Sequence, residues 1–258
     1  MLVADNLVKT FVKNEKRGMK TEFNAVDGIS IQVAEGEIVG VLGANGAGKT
    51  TLLRMLGGLM KPTSGEVTVL LDGEPMLDEL KIKGQIGYLS GNTKLYGRLS
   101  TRELLSMIGS IHGLDDSEIE KRIDKISDVL NMGDFIDNRI EKLSTGQTQR
   151  ASISRCLIHN PRMYIFDEPT LGLDIISSSA IIEFMKKEKK SGKGVVYSTH
   201  YMEEAEYLCD RIVMIDRGKI VKMGTLDELK METGKENLRE IFGSLIGSKE
   251  ALYEWQSN

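Results

Sequence analysis

Residues 43–50 are GANGAGKT, and they directly follow the apolar run EIVGVL at 37–42. This stretch fits G-x-x-x-x-G-K-[ST], a glycine-rich loop between a buried strand and a helix. Backbone N–H groups in such a loop can surround phosphate oxygens at a helix N-terminus, where the helix dipole favours negative charge. A chance match in a chain of this length has a probability on the order of 1%. The sequence therefore predicts a nucleotide phosphate site in an α/β fold.

Two side chains of this loop have predicted roles in the chemistry. We expect Lys49 to reach the β- and γ-phosphates and the Thr50 hydroxyl to ligate Mg²⁺. The loop residues predicted to bind the nucleotide are Gly43, Asn45, Gly46, Gly48, Lys49, Thr50 and Thr51.

A second candidate for the metal site is MYIFDE at 163–168, an apolar run that ends in two acids. Asp167 stands at the C-terminal end of the predicted strand, where parallel sheets bind their ligands, and we expect it to hold Mg²⁺ through water. Glu168 follows it and could polarise the attacking water as general base. Alone, such a pair could equally be a solvated strand end. Beside the phosphate loop, the functional interpretation is favoured.

A family resemblance becomes definite with LSTGQTQR at 143–150, which precedes a predicted helix. It resembles the signature motif (LSGGQ) of ATP-binding cassette ATPases. PTLGLD at 169–174 is similar to the D-loop of that family, and VVYSTH at 195–200 to the strand that carries its switch histidine. Phe11 resembles the aromatic residue that stacks on adenine. These motifs stand in family order and cover residues 11 to about 224, most of the chain.

The resemblance implies ATP as the nucleotide, with Mg²⁺, and His200 as a catalytic residue that contacts the γ-phosphate together with Glu168 and Lys49. It also implies head-to-tail pairing, in which the signature motif of one cassette closes on ATP held by a second cassette. A second copy of this chain or a different partner cassette is therefore required, and a homodimer is expected. The residues implied at that shared site are Ser144, Gly146, Gln147 and Asp174.

Each of these residues has a purely structural alternative. Phe11 could be a core residue, and His200 could be a surface or capping histidine. Ser144 and Gly146 could cap a helix, which is compatible with phosphate binding because both use the same helix N-terminus.

The fold class expected from the resemblance is α/β, a P-loop NTPase ABC cassette with a RecA-like core, an antiparallel β subdomain and an inserted α-helical signature subdomain. Alternating apolar runs and helical-period segments support the α/β class. We expect residues 1–225 to form the cassette, with the helical subdomain at about 92–160, and residues 226–258 to form a helical C-terminal tail.

The sequence departs from the family pattern at two points. The family's Q-loop glutamine is expected near position 91, where this chain has Gly91, and Asn92 is a candidate substitute. Thr145 replaces the first of the paired signature glycines, and a β-branched residue should stiffen the loop slightly. Because the lysine, the metal ligands and the base are intact, we still expect an active ATPase.

Three further segments resemble cassettes that serve exporters with ABC-2-type permeases, of the sodium-extrusion type: residues 12–24, 95–100 and 236–247. This resemblance implies an ABC-2-type membrane permease as partner. It also implies a cytoplasmic protein, peripheral on the inner face of the cell membrane. Alternatives are a soluble ABC-type mechanical ATPase and a nucleotide-dependent regulator that does not hydrolyse ATP.

Composition limits the remaining possibilities. The 258 residues are 40% hydrophobic and 28% charged, which is the balance of a globular protein and argues against disorder. The formal net charge of −4 argues against nucleic acid as a partner. No run of 18 apolar residues occurs, so the chain is expected to be soluble. The run KKEKK at 186–190 is interpreted as a solvated helix end.

Overall fold

The structure, a computed structural model, describes residues 1–14, 20–91 and 94–246. The strands in these ranges are β1 (Leu2–Asn14), β2 (Lys20–Val33), β3 (Ile38–Leu42), β4 (Ser64–Leu71), β5 (Glu74–Pro75), β6 (Ile86–Leu89), β7 (Met163–Asp167), β8 (Gly194–Ser198), β9 (Arg211–Asp216) and β10 (Lys219–Gly224). The helices are α1 (Lys49–Leu56), α2 (Glu79–Gly84), α3 (Thr101–Ile111), α4 (Asp116–Val129), α5 (Thr145–Leu157), α6 (Ile175–Lys190), α7 (Met202–Leu208), α8 (Leu226–Thr233) and α9 (Leu238–Ile246).

The larger sheet has the strand order β10-β9-β3-β8-β7-β6, and all its pairs are parallel except that of β10 with β9. Every residue of β3, β7 and β8 is buried, which fits a parallel sheet covered on both faces. Since β3, β8 and β7 are neighbours, the loops that follow them meet at one edge of the sheet. This order places the functional site.

The smaller sheet is antiparallel, with the order β2-β1-β4-β5. The alternation of apolar and polar residues at 29–33 is typical of a strand and corresponds to part of β2, whereas no pattern predicted β1. The alternation of β1 is interrupted by register shifts around Asn6, which has φ +46°. β1 and β2 pair from Leu2–Val33 out to Asn14–Lys20, so the described parts of the segment 12–24 lengthen these two strands. Residues 15–19 lie outside the described ranges.

Helices α3 to α5 lie in the chain between β6 and β7, which are neighbours in the larger sheet. Their apolar faces join one buried cluster that includes Leu105, Ile123 and Ile153 and also Phe166 of β7. Gly113 ends the turn after α3 with φ +77°, which a glycine adopts without strain. This arrangement agrees with a helical segment inserted into the α/β core, although the exact subdomain limits remain a prediction.

The C-terminal helices pack against β3 and β9 of the larger sheet. α8 and α9 contribute Leu229, Ile241 and Phe242 to a cluster that includes Leu42 and Met214. The helical tail predicted as one segment is two helices, because Gly234 ends α8 in the left-handed region at φ +66°. Residues 247–258 of that predicted tail lie outside the described ranges. No helix in the described part of the chain is long and apolar enough to cross a bilayer.

Candidate functional site

The glycine-rich loop joins β3 to α1 through two residues with positive φ, Gly46 at +79° and Gly48 at +107°. A Cβ on Gly48 would lie 2.2 Å from the carbonyl oxygen of Ala25, so no other residue fits there. A Cβ on Gly46 would meet nothing within 4 Å. Glycine is therefore needed at this position only because of the positive φ. The loop is therefore held in a wound shape that turns its N–H groups inward at the start of α1.

Lys49 is the first residue of α1 and is 6% exposed. Its Nζ donates hydrogen bonds to the carbonyl oxygens of Gly43 (2.7 Å) and Ala44 (3.3 Å). Burial lowers the pKa of Lys49, and the charges of Glu168 and Asp167 oppose that shift. A cation held in this way across the loop is suited to attract the phosphates of a nucleotide.

Asp167, at the end of β7, is 5% exposed and is held from two sides. Thr50 Oγ1 donates to its Oδ2 at 2.8 Å, and Ser198 Oγ of β8 donates to its Oδ1 at 3.0 Å. A hydroxyl and a carboxylate in contact form an all-oxygen donor set of the kind that Mg²⁺ prefers. The residues predicted to hold the metal therefore fit it.

Glu168 and His200 face each other across the same edge of the sheet, with His200 Nδ1 3.5 Å from Glu168 Oε2. The hydrogen bond and the charge of His200, with the charge of Lys49, lower the pKa of Glu168 against the opposing effect of burial. Glu168 has φ +52°, which is uncommon for a non-glycine residue and occurs mainly where the surrounding structure enforces it. A carboxylate kept ionised beside a histidine can accept a proton from water.

An open cleft of about 330 Å³ joins the loop to the smaller sheet. Its lining comprises Phe11, Phe23, Ala25, Asn45, Gly46, Gly48, Lys49, Thr50, Thr51 and Glu168. Phe11 belongs to no buried core cluster, and its ring lies 6.0 Å from that of Phe23. Gly43 lies behind the loop, where its carbonyl holds Lys49. A cleft lined by aromatic residues on one side and a phosphate loop on the other can bind the base and the phosphates of a nucleotide.

The predicted signature residues lie elsewhere. Ser144 caps α5 in a capping box: its Oγ accepts from Gln147 N at 3.3 Å, and Gln147 Oε1 accepts from Ser144 N at 2.9 Å. A Cβ on Gly146 would find its nearest neighbour, Leu173 Cδ2, at 3.7 Å. Within the described ranges, none of these three residues lines the cleft. Their place outside the cleft is compatible with the head-to-tail pairing that the family resemblance implies.

Asp174 caps α6 and accepts hydrogen bonds from Ser177 N (2.9 Å) and Ser177 Oγ (3.0 Å). Thr145 lies within the first turn of α5, where a β-branched residue is accommodated. Gly91 has no positive φ, and a Cβ there would lie 3.4 Å from the carbonyl oxygen of Asp167. Asn92, the proposed substitute for the Q-loop glutamine, lies outside the described residues.

Two parts of the site were missed in the sequence. Ser198 donates a hydrogen bond to Asp167, the predicted metal ligand, and its signal was its place at the end of the strand that leads to His200. Phe23 joins Phe11 at the cleft, because the two residues are paired in the register of β1 and β2. That pairing could have been found only by predicting β1.

Comparisons with known proteins agree with this geometry. Residues 26–171 match the family model described as ABC transporter. The chain is 40% identical to the ABC transporter ATP-binding protein NatA of Bacillus subtilis (strain 168), over 88% of this chain and 92% of that protein. It is 36% identical to the linearmycin resistance ATP-binding protein LnrL of the same organism, over 98% of this chain and 77% of that protein. It is 34% identical to the daunorubicin resistance ATP-binding protein DrrA3 of Streptomyces coeruleorubidus, over 83% of this chain and 67% of that protein.

Solved structures give the same result. An ATP-binding subunit of an ABC transporter superposes with a TM-score of 0.83 at 28% identity, over 95% of this chain and 99% of the other. A dimeric ATP-binding cassette in a post-hydrolysis state, bound to ADP and Pi, superposes with a TM-score of 0.78 at 28% identity, over 88% and 99%.

Proposed function

This chain belongs to the ABC transporter family as an ATP-binding, ATP-hydrolysing subunit, and we propose that it powers a membrane exporter through ATP-driven pairing of two cassettes. One observation carries the proposal. The ends of the neighbouring strands β3, β8 and β7 bring the phosphate loop, His200 and the pair Asp167–Glu168 to one edge of the sheet.

Nucleotide binding uses the two walls of the cleft. The loop N–H groups and Lys49 hold the phosphates, together with Asn45 and Thr51 of the same segment, and Phe11 stacks on the adenine ring. Thr50 and Asp167 would hold Mg²⁺, which when bound would neutralise phosphate charge. Ser198 keeps the carboxylate of Asp167 turned toward Thr50.

Hydrolysis is assigned to Glu168 with His200 and Lys49. Glu168 accepts the proton of the attacking water, and its lowered pKa keeps it ionised for that step. His200, 3.5 Å away, orients Glu168 and contacts the terminal phosphate. Lys49 stabilises the negative charge on the transferred phosphoryl group.

A second cassette completes the site. Ser144, Gly146 and Gln147 lie at the exposed start of α5, where the helix dipole favours an anion, and they close on the γ-phosphate held by the partner cassette. Asp174, at the start of α6, lies at the same interface. ATP then links the two chains, most simply as a homodimer, and its hydrolysis releases them.

The membrane partner proposed is an ABC-2-type permease, which places this chain in the cytoplasm on the inner face of the cell membrane. The similarity to two relatives named for antibiotic resistance, and the segments at residues 95–100 and 236–247, support an exporter. The net charge of −4 argues against a mechanical ATPase that acts on nucleic acid.

The pairing step is tested with a full-length E168Q variant, in which hydrolysis is blocked while the cleft is intact. We expect light scattering after size exclusion to find a dimer with ATP and Mg²⁺ and a monomer without nucleotide. The matched control K49A/E168Q should stay monomeric, because its phosphate site is broken. An E168Q protein that stays monomeric with saturating bound ATP would overturn the pairing.

The exporter role is tested by purifying the tagged chain from mildly solubilised native cells. A stoichiometric polytopic membrane protein that co-purifies supports the proposal. Ribosomes or DNA in its place would overturn the exporter role and leave the ATPase chemistry standing.

A further inference from the structure

Glu204, in the first turn of α7, gathers three hydroxyl groups on one carboxylate oxygen. Its Oε2 accepts a hydrogen bond from Thr170 Oγ1 at 2.9 Å, from Thr199 Oγ1 at 3.3 Å and from the hydroxyl of Tyr197. Thr170, Thr199 and Tyr197 are all buried. A carboxylate that accepts hydrogen bonds from three buried hydroxyl groups is a rigid junction, since hydrogen bonds to a charged acceptor are stronger than neutral ones.

The three donors come from the two segments that carry the proposed catalytic residues Glu168 and His200. Thr170 is two residues after Glu168, and Thr199 directly precedes His200. Tyr197 lies in β8, the strand that leads to His200. Glu204 therefore joins the loop that follows the proposed general base to the loop that carries the proposed phosphate-contacting histidine.

Thr199 uses both sides of its hydroxyl group. While Oγ1 donates to Glu204, it accepts a hydrogen bond from the backbone N–H of Tyr201 at 3.0 Å. This second bond closes the turn in which His200 stands. A displaced Glu204 would therefore release the turn that aims His200 at Glu168.

Two further hydrogen bonds fix the segment at Glu168 and Pro169. Gln149 of α5 donates from Nε2 to the carbonyl oxygen of Pro169 at 2.8 Å, and the backbone N–H of Glu168 donates to the carbonyl oxygen of Ser198 at 3.0 Å. Glu168 keeps its strained φ of +52° within this frame. Conformations of that kind persist only where several contacts enforce them.

The negative charge of Glu204 favours its hydrogen bond from Tyr197. Burial and the charge of Glu204 raise the pKa of Tyr197 far above its usual value, so its hydroxyl keeps the proton that it donates. Glutamine at position 204 would preserve the shape but would remove the charge from the shared acceptor. Alanine would leave three buried hydroxyls without their acceptor.

We infer that Glu204 is a positioning residue for ATP hydrolysis, which fixes Glu168 and His200 relative to each other through Thr170 and Thr199. The inference rests on the proposed function, because it assigns Glu204 a task in that reaction. Glu204 itself touches neither the cleft nor the phosphate loop within the described ranges. It acts on the chemical step and leaves nucleotide binding to the loop and Phe11.

The test compares steady-state ATP hydrolysis by the full-length wild type with E204A, E204Q and a matched control, E203A. Glu203 lies in the same helical turn, but its side chain is 72% exposed and pairs with Arg239 at 3.0 Å. Misplacement of catalytic groups by about 1 Å costs about 100-fold, so we expect E204A to lower kcat by about 10- to 100-fold. The KM for ATP should change less than about threefold, because ground-state binding is untouched. E203A should keep the wild-type kcat.

A threonine pair separates positioning from simple loss of structure. T170V removes one hydroxyl at nearly constant volume, whereas T170S keeps it. We expect T170V to lower kcat by about tenfold and T170S to restore most of it, with equal urea midpoints for both variants. Equal kcat values for T170V and T170S would overturn the inference.

A double-mutant cycle tests the path through His200. If Glu204 acts by aiming His200, E204A should cost less than about threefold in an H200A background, against its larger cost in the wild type. Equal fold losses in the two backgrounds would contradict the inference, as would E204A with wild-type kcat. Absence of hydrolysis by the wild type itself would instead overturn the proposed function, so the two failures are distinct.

Discussion

Thr50 Oγ1 donates a 2.8 Å hydrogen bond to Asp167 Oδ2, although 117 residues separate the two in the chain. The bond joins the start of α1, which follows β3, to the end of β7, and β8 lies between these two strands. Since both oxygens are proposed metal ligands, the fold sets their separation in advance. The entropy lost by holding the two ligands together is offset during folding by the packing of the sheet and its core, before the metal binds.

Two substitutions at Thr50 test the metal assignment. T50S keeps the hydroxyl and T50V removes it at similar volume. We expect T50V to raise the Mg²⁺ concentration for half-maximal ATP hydrolysis by about tenfold or more, and T50S by less than about threefold. The measurement is a Mg²⁺ titration of the hydrolysis rate at saturating ATP. Identical titrations for T50V and the wild type would exclude Thr50 as a ligand.

Gly48 and Gly46 form a matched pair for the loop conformation. G46A introduces only a left-handed alanine, at a cost of about 1–2 kcal/mol in the free energy of unfolding. G48A adds a Cβ at 2.2 Å from Ala25 O, so its cost should exceed that of G46A by about 1–3 kcal/mol. Urea denaturation of the two variants gives both values. If G48A lost less free energy of unfolding than G46A, the close contact between the added Cβ and Ala25 O would not be a source of strain.

Gly146 tests the proposed dimer contact without disturbing the monomer. The nearest atom to a Cβ at Gly146 is 3.7 Å away. A negatively charged aspartate in the first turn of α5 interacts favourably with the helix dipole. We expect G146D to unfold within about 1 kcal/mol of the wild type, yet to abolish ATP-driven dimerisation in the E168Q background. Light scattering checks the second point, and a dimer that persists would move the γ-phosphate contact away from the signature helix.

His159 predicts the pH dependence of stability. Its ring stacks on His112 at 4.3 Å, and burial, followed by the charge of His112, lowers the pKa of His159 to about 4. The charges of Lys193 and Arg122 act in the same direction. The unfolded chain therefore binds more protons than the folded one between pH 6.5 and about 4, so stability present above pH 6.5 is lost as the pH falls through this window.

H159Q removes this titration while it keeps a donor for the carbonyl oxygen of Ile86, 3.3 Å from His159 Nε2. We expect the wild-type free energy of unfolding to fall by up to about 1.4 kcal/mol per pH unit more than that of H159Q across the window. H112Q is the intermediate case, because it removes the charge next to His159 and the titration of His112 itself, whose pKa is also lowered by burial. Parallel curves for the wild type and H159Q between pH 7 and 4.5 would show that His159 titrates normally.

Local patterns predicted the elements that carry the chemistry. The apolar runs at 37–42 and 163–166 and their polar ends predicted β3, β7 and the residues after them. Two short apolar runs at 212–215 and 220–223, joined by a turn at 216–218, also predict the hairpin of β9 and β10, in whose turn Arg217 and Gly218 both have positive φ. By contrast, β1 was missed because a bulge at Asn6 disrupts its alternation, and α7 because a helix of seven residues has too few turns to display a period.

The sequence by itself determined the phosphate loop, the two acids and the family, because each depends on residue types at fixed short spacing. Only the tertiary structure decided that Ser198 bonds Asp167, that Phe23 joins Phe11 and that Glu204 gathers Thr170 and Thr199. The physical reason is that periodicity records which face of an element is buried but not which strands become neighbours. Contacts between loops depend on the order β3-β8-β7, which the packing of the whole sheet sets.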